Sequence, residues 1–385
     1  MSALEAEVDR SAREGVEREL LAWMSEAKPS ADAERFERLA LALFRFQFTA
    51  CAPYARLCAS LDRTPDRVEQ VSDIPAVPTG AFKEFDLRCF PEDQTTQVFR
   101  TSGTSVDRLG ALHLDSVVLY EASLLANLRH SFLPGLVGTR PEMRFLSPGP
   151  AEAPDSSLTH MFEALRLAEG HPSSDYDLRE GRLDLHAFEA AVERARRADR
   201  PLIVAGTSFA FVHFLDDPQA AGETRWHLPA GSRVMETGGF KGRSRTVPRE
   251  VLRSEIAARF GLDERAVVNQ YGMTELGSQF YDSTLVDPDG PRRKEAPPWT
   301  RVRFVDPESG RDVAPGEVGM IVIHDLANTG SVAAIQTADL GRAIRSEDGG
   351  VIGFDVLGRE EGAEARGCSI ATDVMLEASS REPAP

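Results

Sequence analysis

Between Phe99 and Arg108 the chain reads FRTSGTSVDR. Five small residues in succession, Thr101, Ser102, Gly103, Thr104 and Ser105, offer hydroxyls and unhindered backbone N–H groups, the donors that surround phosphate oxygens. The same composition also makes an ordinary Ser/Thr turn. No Gly-Lys pair occurs anywhere in the chain, so this is not the Gly-Lys-Ser/Thr phosphate loop. Lysine is scarce throughout: Lys28, Lys83, Lys241 and Lys294 stand against forty arginines. The bias fits genome composition. Where a compact ammonium survives in such a chain, it is a candidate for work the planar Arg fork does not do. The cysteines, Cys51, Cys58, Cys89 and Cys368, suggest neither a disulfide framework nor a zinc site. An unpaired cysteine is either a small buried hydrophobe or a nucleophile. Cys368 lies in RGCS, where Arg366 can favour the thiolate and Gly367 and Ser369 allow an exposed turn.

These residues need elements to hold them. The first 60 residues have a helical pattern, with apolar positions of ERFERLALALFRFQF at helical spacing. A Pro- and Gly-punctuated connection, IPAVPTGAFKEFDLRCF, precedes the loop, and LDSVVLYEASLLANLRHSFL after it predicts an amphipathic helix. The middle alternates as α/β folds do. A helix in LHAFEAAVERARRA leads to the strand PLIVAG, and SRVMETGG predicts a strand ending at Gly238 and Gly239. VPREVLRSEIAARFG predicts a helix stopped by glycine, followed by the strand AVVNQYG. Ligands in open α/β sheets gather at such strand ends. A β-rich portion runs from TRVRFVD through EVGMIVIHDL to GGVIGFDVLGR, and EASSREPAP reads as a flexible tail.

With 385 residues the chain can bury a sizeable core, and 42% hydrophobic with 27% charged residues is ordinary for a globular protein. A net charge of −17 argues against a sequence-independent grip on nucleic acid or anionic lipid. The start, MSALEAEVDRSAREGVEREL, lacks the basic and apolar parts of a signal peptide, and no run approaches membrane-spanning length. The expectation is a cytoplasmic protein without a nucleic-acid or membrane partner.

Four segments stand in a telling order: FRTSGTS, NQYGMTE, QTADLG and DVLGREEGAEARGCS. In this order and at these separations they resemble the core motifs of the adenylate-forming superfamily, which activates carboxylic acids with ATP. YGMTE and TADLG are the specific matches. Within the superfamily the chain looks like the acyl-protein synthetases of bacterial luminescence operons, the LuxE family, in IPAVPTGAFKEFDL, LHLDSVVLY, AGTSFAFV and RGCSI. The resemblance implies an α/β fold: an adenylate-forming large domain with mixed and parallel sheets over residues 1–355, helical over about 1–70. A truncated C-terminal part, 356–385, would carry Cys368 and the tail.

Site roles follow from the same resemblance. Residues 101–105 would hold the β- and γ-phosphates, with Arg108 covering charge that the usual loop lysine supplies. Tyr271 would lie over adenine, Gly238 and Gly239 would allow close approach to adenine or the acyl carboxylate, and Asp339 and Arg359 would contact ribose. Thr274 would hydrogen-bond the α-phosphate and Glu275 would hold Mg²⁺. For each, a turn residue or a solvated side chain is the plain alternative. The superfamily has about a hundred further residues after the hinge, including a catalytic lysine. Only 26 residues follow Arg359 and none is Lys. Lys241, in GGFKGRSR, is the candidate cation for the α-phosphate. The implied chemistry is acyl-adenylate formation with release of pyrophosphate, then transfer to Cys368 or to an acceptor protein. An aryl- or amino-acid ligase delivering to a free thiol or amine, and a relative that binds nucleotide without chemistry, are the alternatives.

Overall fold

A computed structural model describes residues 3–27, 29–101, 109–218, 220, 226–238, 247–358 and 375, residues 3–10 by their backbone alone. The chain begins with helices α1 (Ala3–Met24), α2 (Ala33–Ala50) and α3 (Ala52–Ser60), then strand β1 (Val77–Pro78) and the short helix α4 (Ala81–Glu84). The hairpin strands β2 (Gln97–Arg100) and β3 (Ala111–Leu114) precede α5 (Val118–Ser131). Next come β4 (Glu142–Leu146), α6 (Ser157–Glu169), β5 (Asp175–Tyr176), β6 (Leu178–Arg179), β7 (Arg182–Leu183) and α7 (Leu185–Ala198). They are followed by β8 (Leu202–Thr207), α8 (Ser208–Asp216), β9 (Arg233–Thr237), α9 (Arg249–Phe260), β10 (Val267–Tyr271) and β11 (Phe280–Asp282). The strands β12 (Lys294–Glu295), β13 (Thr300–Val305), β14 (Gly319–Asp325), β15 (Ala334–Arg345) and β16 (Val351–Gly358) complete the description. The helices and strands expected from periodicity in the N-terminal, middle and β-rich portions are all present.

These elements sort into two compact units: residues 1–126, 273–278 and 294–385 form one, residues 127–272 and 279–293 the other. In the second unit, β5, β4, β8, β9 and β10 run parallel in that order, and β11 follows antiparallel to β10. Parallel strands buried on both faces read as unbroken apolar runs, as in LIVAG. Their core includes Phe188, Phe214, Trp226, Ile256 and Phe260 from the covering segments. Asp184 caps α7 by accepting from Ala187 N, and Gly261 stops α9 at φ 64°, where a left-handed residue is required.

In the first unit, β13, β14, β15, β16 and β12 are antiparallel in that order, and β1 joins β15 in parallel at Val77–Ile335 and Pro78–Gln336. All seven residues of β14 are buried. α2 turns Phe36, Leu39, Leu43 and Phe44 inward, as its helical spacing predicts. Its buried Gln47 donates from Nε2 to the Asn328 carbonyl (2.9 Å), and its Oε1 accepts from Ala333 N (3.0 Å). A polar side chain thus ties the helical segment to the turn before β15.

Candidate active site

The hydroxyl-rich loop is carried by the β2–β3 hairpin, whose last pair is Arg100–Ala111. Its neck is closed twice at Thr101. Thr101 N donates to the Gly110 carbonyl (2.9 Å), and Gly110 N donates to Thr101 Oγ1 (2.9 Å). A Cβ at Gly110 would stand 3.1 Å from Thr101 Cγ2 and 3.3 Å from Oγ1, so glycine keeps the neck narrow. Ser102, Gly103, Thr104, Ser105 and Arg108 lie outside the described residues, as do Gly239, Lys241, Arg359 and Cys368.

Thr274 meets this neck. Its Oγ1 donates to the Arg100 carbonyl at 3.4 Å, both residues lying in one unit. The residues after Thr274 are clamped. Glu275 is buried, and its carbonyl accepts from Asn328 Nδ2 (3.0 Å). Asp325 receives Ser278 N and Ser278 Oγ, each at 2.7 Å, and Ala327 N at 3.1 Å. Burial pushes the Asp325 carboxyl up to about 6, against the pull of those hydrogen bonds. Ser278 also contacts Ser123 Oγ (2.9 Å), which accepts from Trp299 Nε1 (2.8 Å). A Cβ on Gly277 would stand 2.9 Å from the Ala327 carbonyl carbon, so only glycine lets the two backbones lie so close.

Asp325, Asn328, Ser278 and Gln47 were not singled out by the sequence reading. A faint signal existed: IVIHD places an acid at the end of a largely apolar strand, which is costly unless donors are waiting. Which donors meet it is a matter of long-range packing, since Ser278 lies 47 residues away.

Asp339 lies inside the twelve-residue β15 rather than at its end. The register explains why it still reads as a break: Val322 pairs with Gln336 and Met320 with Leu340, so Ile321 alone faces residues 337–339. Such a bulge re-aims side chains without ending the strand. Thr337 stabilises it, its Oγ1 donating to the Ile321 carbonyl (3.0 Å) and accepting from Asp339 N (3.1 Å). The half-buried Asp339 is thereby set on a fixed backbone.

In the other unit, Gly238 and Tyr271 follow paired residues, because Thr237 of β9 aligns with Gln270 of β10. Gly238 has φ +88°, and no described residue lies within 4 Å of where its Cβ would be. The half-buried Tyr271 has its ring 6.1 Å from that of Phe280. The Thr237 hydroxyl donates to Gln270 Oε1. Glu236 accepts from the Ser208 hydroxyl and from Asn269 Nδ2 (2.5 Å), and Ser208 Oγ also lies 2.9 Å from the Gly238 carbonyl. The C-terminal ends of β8, β9 and β10 are thus cross-linked by polar side chains, where such sheets bind ligands.

The sequence from residue 19 to 378 matches the family model described as acyl-protein synthetase, LuxE. The chain belongs to that family. Two relatives are long-chain-fatty-acid–luciferin-component ligases. The one from Aliivibrio fischeri is 23% identical over 81% of this chain and 80% of its own length. The one from Vibrio harveyi is 20% identical over 87% and 86%. Among solved structures, 2-hydroxyisobutyryl-CoA ligase in its postadenylation state is 17% identical, with TM-score 0.59 over 86% of this chain and 68% of its own. ATP-bound MatB from Rhodopseudomonas palustris is 18% identical with TM-score 0.47, and the chain spans 49% of its length. The expected enzyme class, a ligase of the acyl-protein synthetase type on an adenylate-forming α/β fold, is borne out. No described helix is long and apolar enough to cross a membrane.

Proposed function

We propose that this acyl-protein synthetase-family member activates a carboxylic acid with ATP in the following way. A carboxylate oxygen attacks the α-phosphorus, the bond to the β-phosphate bridging oxygen breaks, and pyrophosphate leaves with that electron pair. A thiolate then attacks the acyl carbon, and AMP departs as the thioester forms. The observation that carries the reading is the Thr274 hydroxyl on the Arg100 carbonyl, because it brings Thr274 to the neck of the candidate phosphate loop, where the hydroxyl would exchange that long 3.4 Å bond for the α-phosphate.

The roles divide by chemistry. Thr101, Ser102, Gly103, Thr104, Ser105 and Arg108 bind the β- and γ-phosphates. Thr274 and Lys241 bear on the α-phosphate, where charge develops. Asp339 and Arg359 hold ribose, and Tyr271, Gly238 and Gly239 serve adenine. Among the described residues no group of three His, Cys, Asp or Glu side chains could hold a metal. Mg²⁺ carried in by a triphosphate needs only one or two carboxylates, which Glu275 fits. The metal would neutralise phosphate charge. Residues 1–355 form the large domain in this reading, and 356–385 present Cys368, which receives the acyl group and passes it to an acceptor protein. Fatty acids are the first acids to test, given what the two relatives are named for. In this reading the reaction takes place in the cytoplasm.

The test is acid-dependent ATP–pyrophosphate exchange over a panel of fatty, aryl and amino acids. Exchange with one class and a hydroxylamine-labile acyl label on denatured protein, lost in Cys368→Ser, are expected. Exchange without any label makes the protein a ligase for an external acceptor. No exchange with any acid sinks the reading. Lys241→Ala at the wild-type exchange rate removes Lys241 from the scheme.

A further inference from the structure

The candidate phosphate loop has no lysine of its own, yet a lysine is packed against its neck. β1 runs beside β15, and Thr79 N donates to the Gln336 carbonyl (3.0 Å), three residues before Asp339. From that anchor the chain turns into α4, where Lys83 N donates to the Gly80 carbonyl (3.1 Å) and Phe85 N to the Ala81 carbonyl (2.8 Å). Ala81 and Phe82 are buried, whereas Lys83 is exposed. The Lys83 stem then passes the hairpin: its Cγ stands 3.5 Å from the position a Gly110 Cβ would take, alongside the Thr101 side chain. Gly110 thus leaves room for two side chains at once, the Thr101 hydroxyl and the lysine stem.

Two further facts give the arrangement a chemical meaning. No carboxylate or hydrogen-bond acceptor among the described residues pairs with the Lys83 ammonium, although the protein carries an excess of 17 negative charges. Thr101 Oγ1 accepts from Gly110 N through a lone pair, and its hydroxyl proton, still available to donate, has no acceptor among the described residues. An uncommitted O–H and an uncommitted ammonium on one neck are complementary to a polyanion, not to a neutral group.

We propose that Lys83 is the phosphate-binding cation of this enzyme, acting with the Thr101 hydroxyl on the β- and γ-phosphates of ATP and on departing pyrophosphate. The charge that a loop lysine would supply comes instead from α4, positioned through β1 and β15. The inference rests on the functional reading above and assigns a group that reading lacks.

ATP and AMP differ in the phosphates concerned, so their affinities are compared by calorimetry in wild type, Lys83→Ala and Lys83→Arg, with melting temperatures recorded. Lys83→Ala is expected to weaken ATP and inorganic pyrophosphate about tenfold to a hundredfold, the loss of one charge-assisted contact. AMP affinity and melting temperature stay unchanged, and Lys83→Arg recovers part of the loss. Wild-type ATP affinity in Lys83→Ala overturns the proposal. Equal loss of ATP and AMP overturns it too, because that pattern belongs to a displaced hairpin or an α-phosphate contact. Wild-type protein that binds neither nucleotide overturns the functional reading and this inference together. Wild-type ATP binding with no exchange against any acid defeats only the former.

Discussion

Asp339 shows how a motif residue and its setting can be argued separately. TADLG marked an acid for ribose, and the bulge supplies what the motif alone does not, a backbone pinned by Thr337 on both sides. Because that pinning uses the Thr337 side chain and main-chain groups, removing the Asp339 carboxylate leaves the bulge intact. Asp339→Ala should raise the KM for ATP about tenfold or more, as loss of charge-assisted hydrogen bonds implies. The sharper readout is selectivity. Wild type should discriminate against 2′-deoxy-ATP, and Asp339→Ala should treat the two nucleotides alike. If the variant keeps full discrimination, the carboxylate does not touch ribose.

At the scale of elements, the hairpin neck is a spacing device. Gly110 is not in the left-handed region, so alanine is allowed by its backbone; the conflict is with Thr101 and the Lys83 stem. Overpacking of this kind costs about 1–3 kcal/mol. Gly110→Ala is therefore expected to lower the melting temperature by a few degrees and raise the KM for ATP several-fold, while Gly15→Ala in α1, whose Cβ would come no nearer than 3.9 Å to Arg18 Nη2 among the described residues, leaves KM unchanged. Equal KM values in both variants would show that neck width is irrelevant to nucleotide binding. The hairpin itself was not legible in FRTSGTSVDR, because a turn motif does not say which strands it joins. The β2–β3 pairing follows from Phe99 and Leu112, both buried in register opposite one another.

At the scale of the whole molecule, buried carboxyls link stability to pH. Asp325 has its folded value raised to about 6 by burial, against roughly 3.9 when unfolded. Between those values the folded state binds more protons than the unfolded one. The stabilisation from this group is thus full below about pH 4 and is lost as pH rises through about 6, roughly 3 kcal/mol in all. Asp177, which pairs with Arg144, is likewise raised to about 6 and has the same sign. The difference between wild type and Asp325→Asn isolates one of them. The variant should melt lower at every pH, since its amide faces Ser278 N and Ala327 N, and its deficit should be smaller at pH 7 than at pH 4.5. A deficit independent of pH would mean that Asp325 ionises normally in the fold.

The sequence alone determined the class of protein: helical N-terminal region, alternating α/β middle, β-rich end and the ordered motifs that family membership bears out. Those are local properties, readable from periodicity, glycine stops and short strings such as YGMTE. Only the tertiary structure decided that Thr274 rests on Arg100, 174 residues away, and that Asp325 and Asn328 hold the segment behind it. It also decided that Lys83 stands at Gly110. Contacts between residues so far apart are set by strand register and by the donors that buried acceptors require, and neither leaves a periodic trace in one chain.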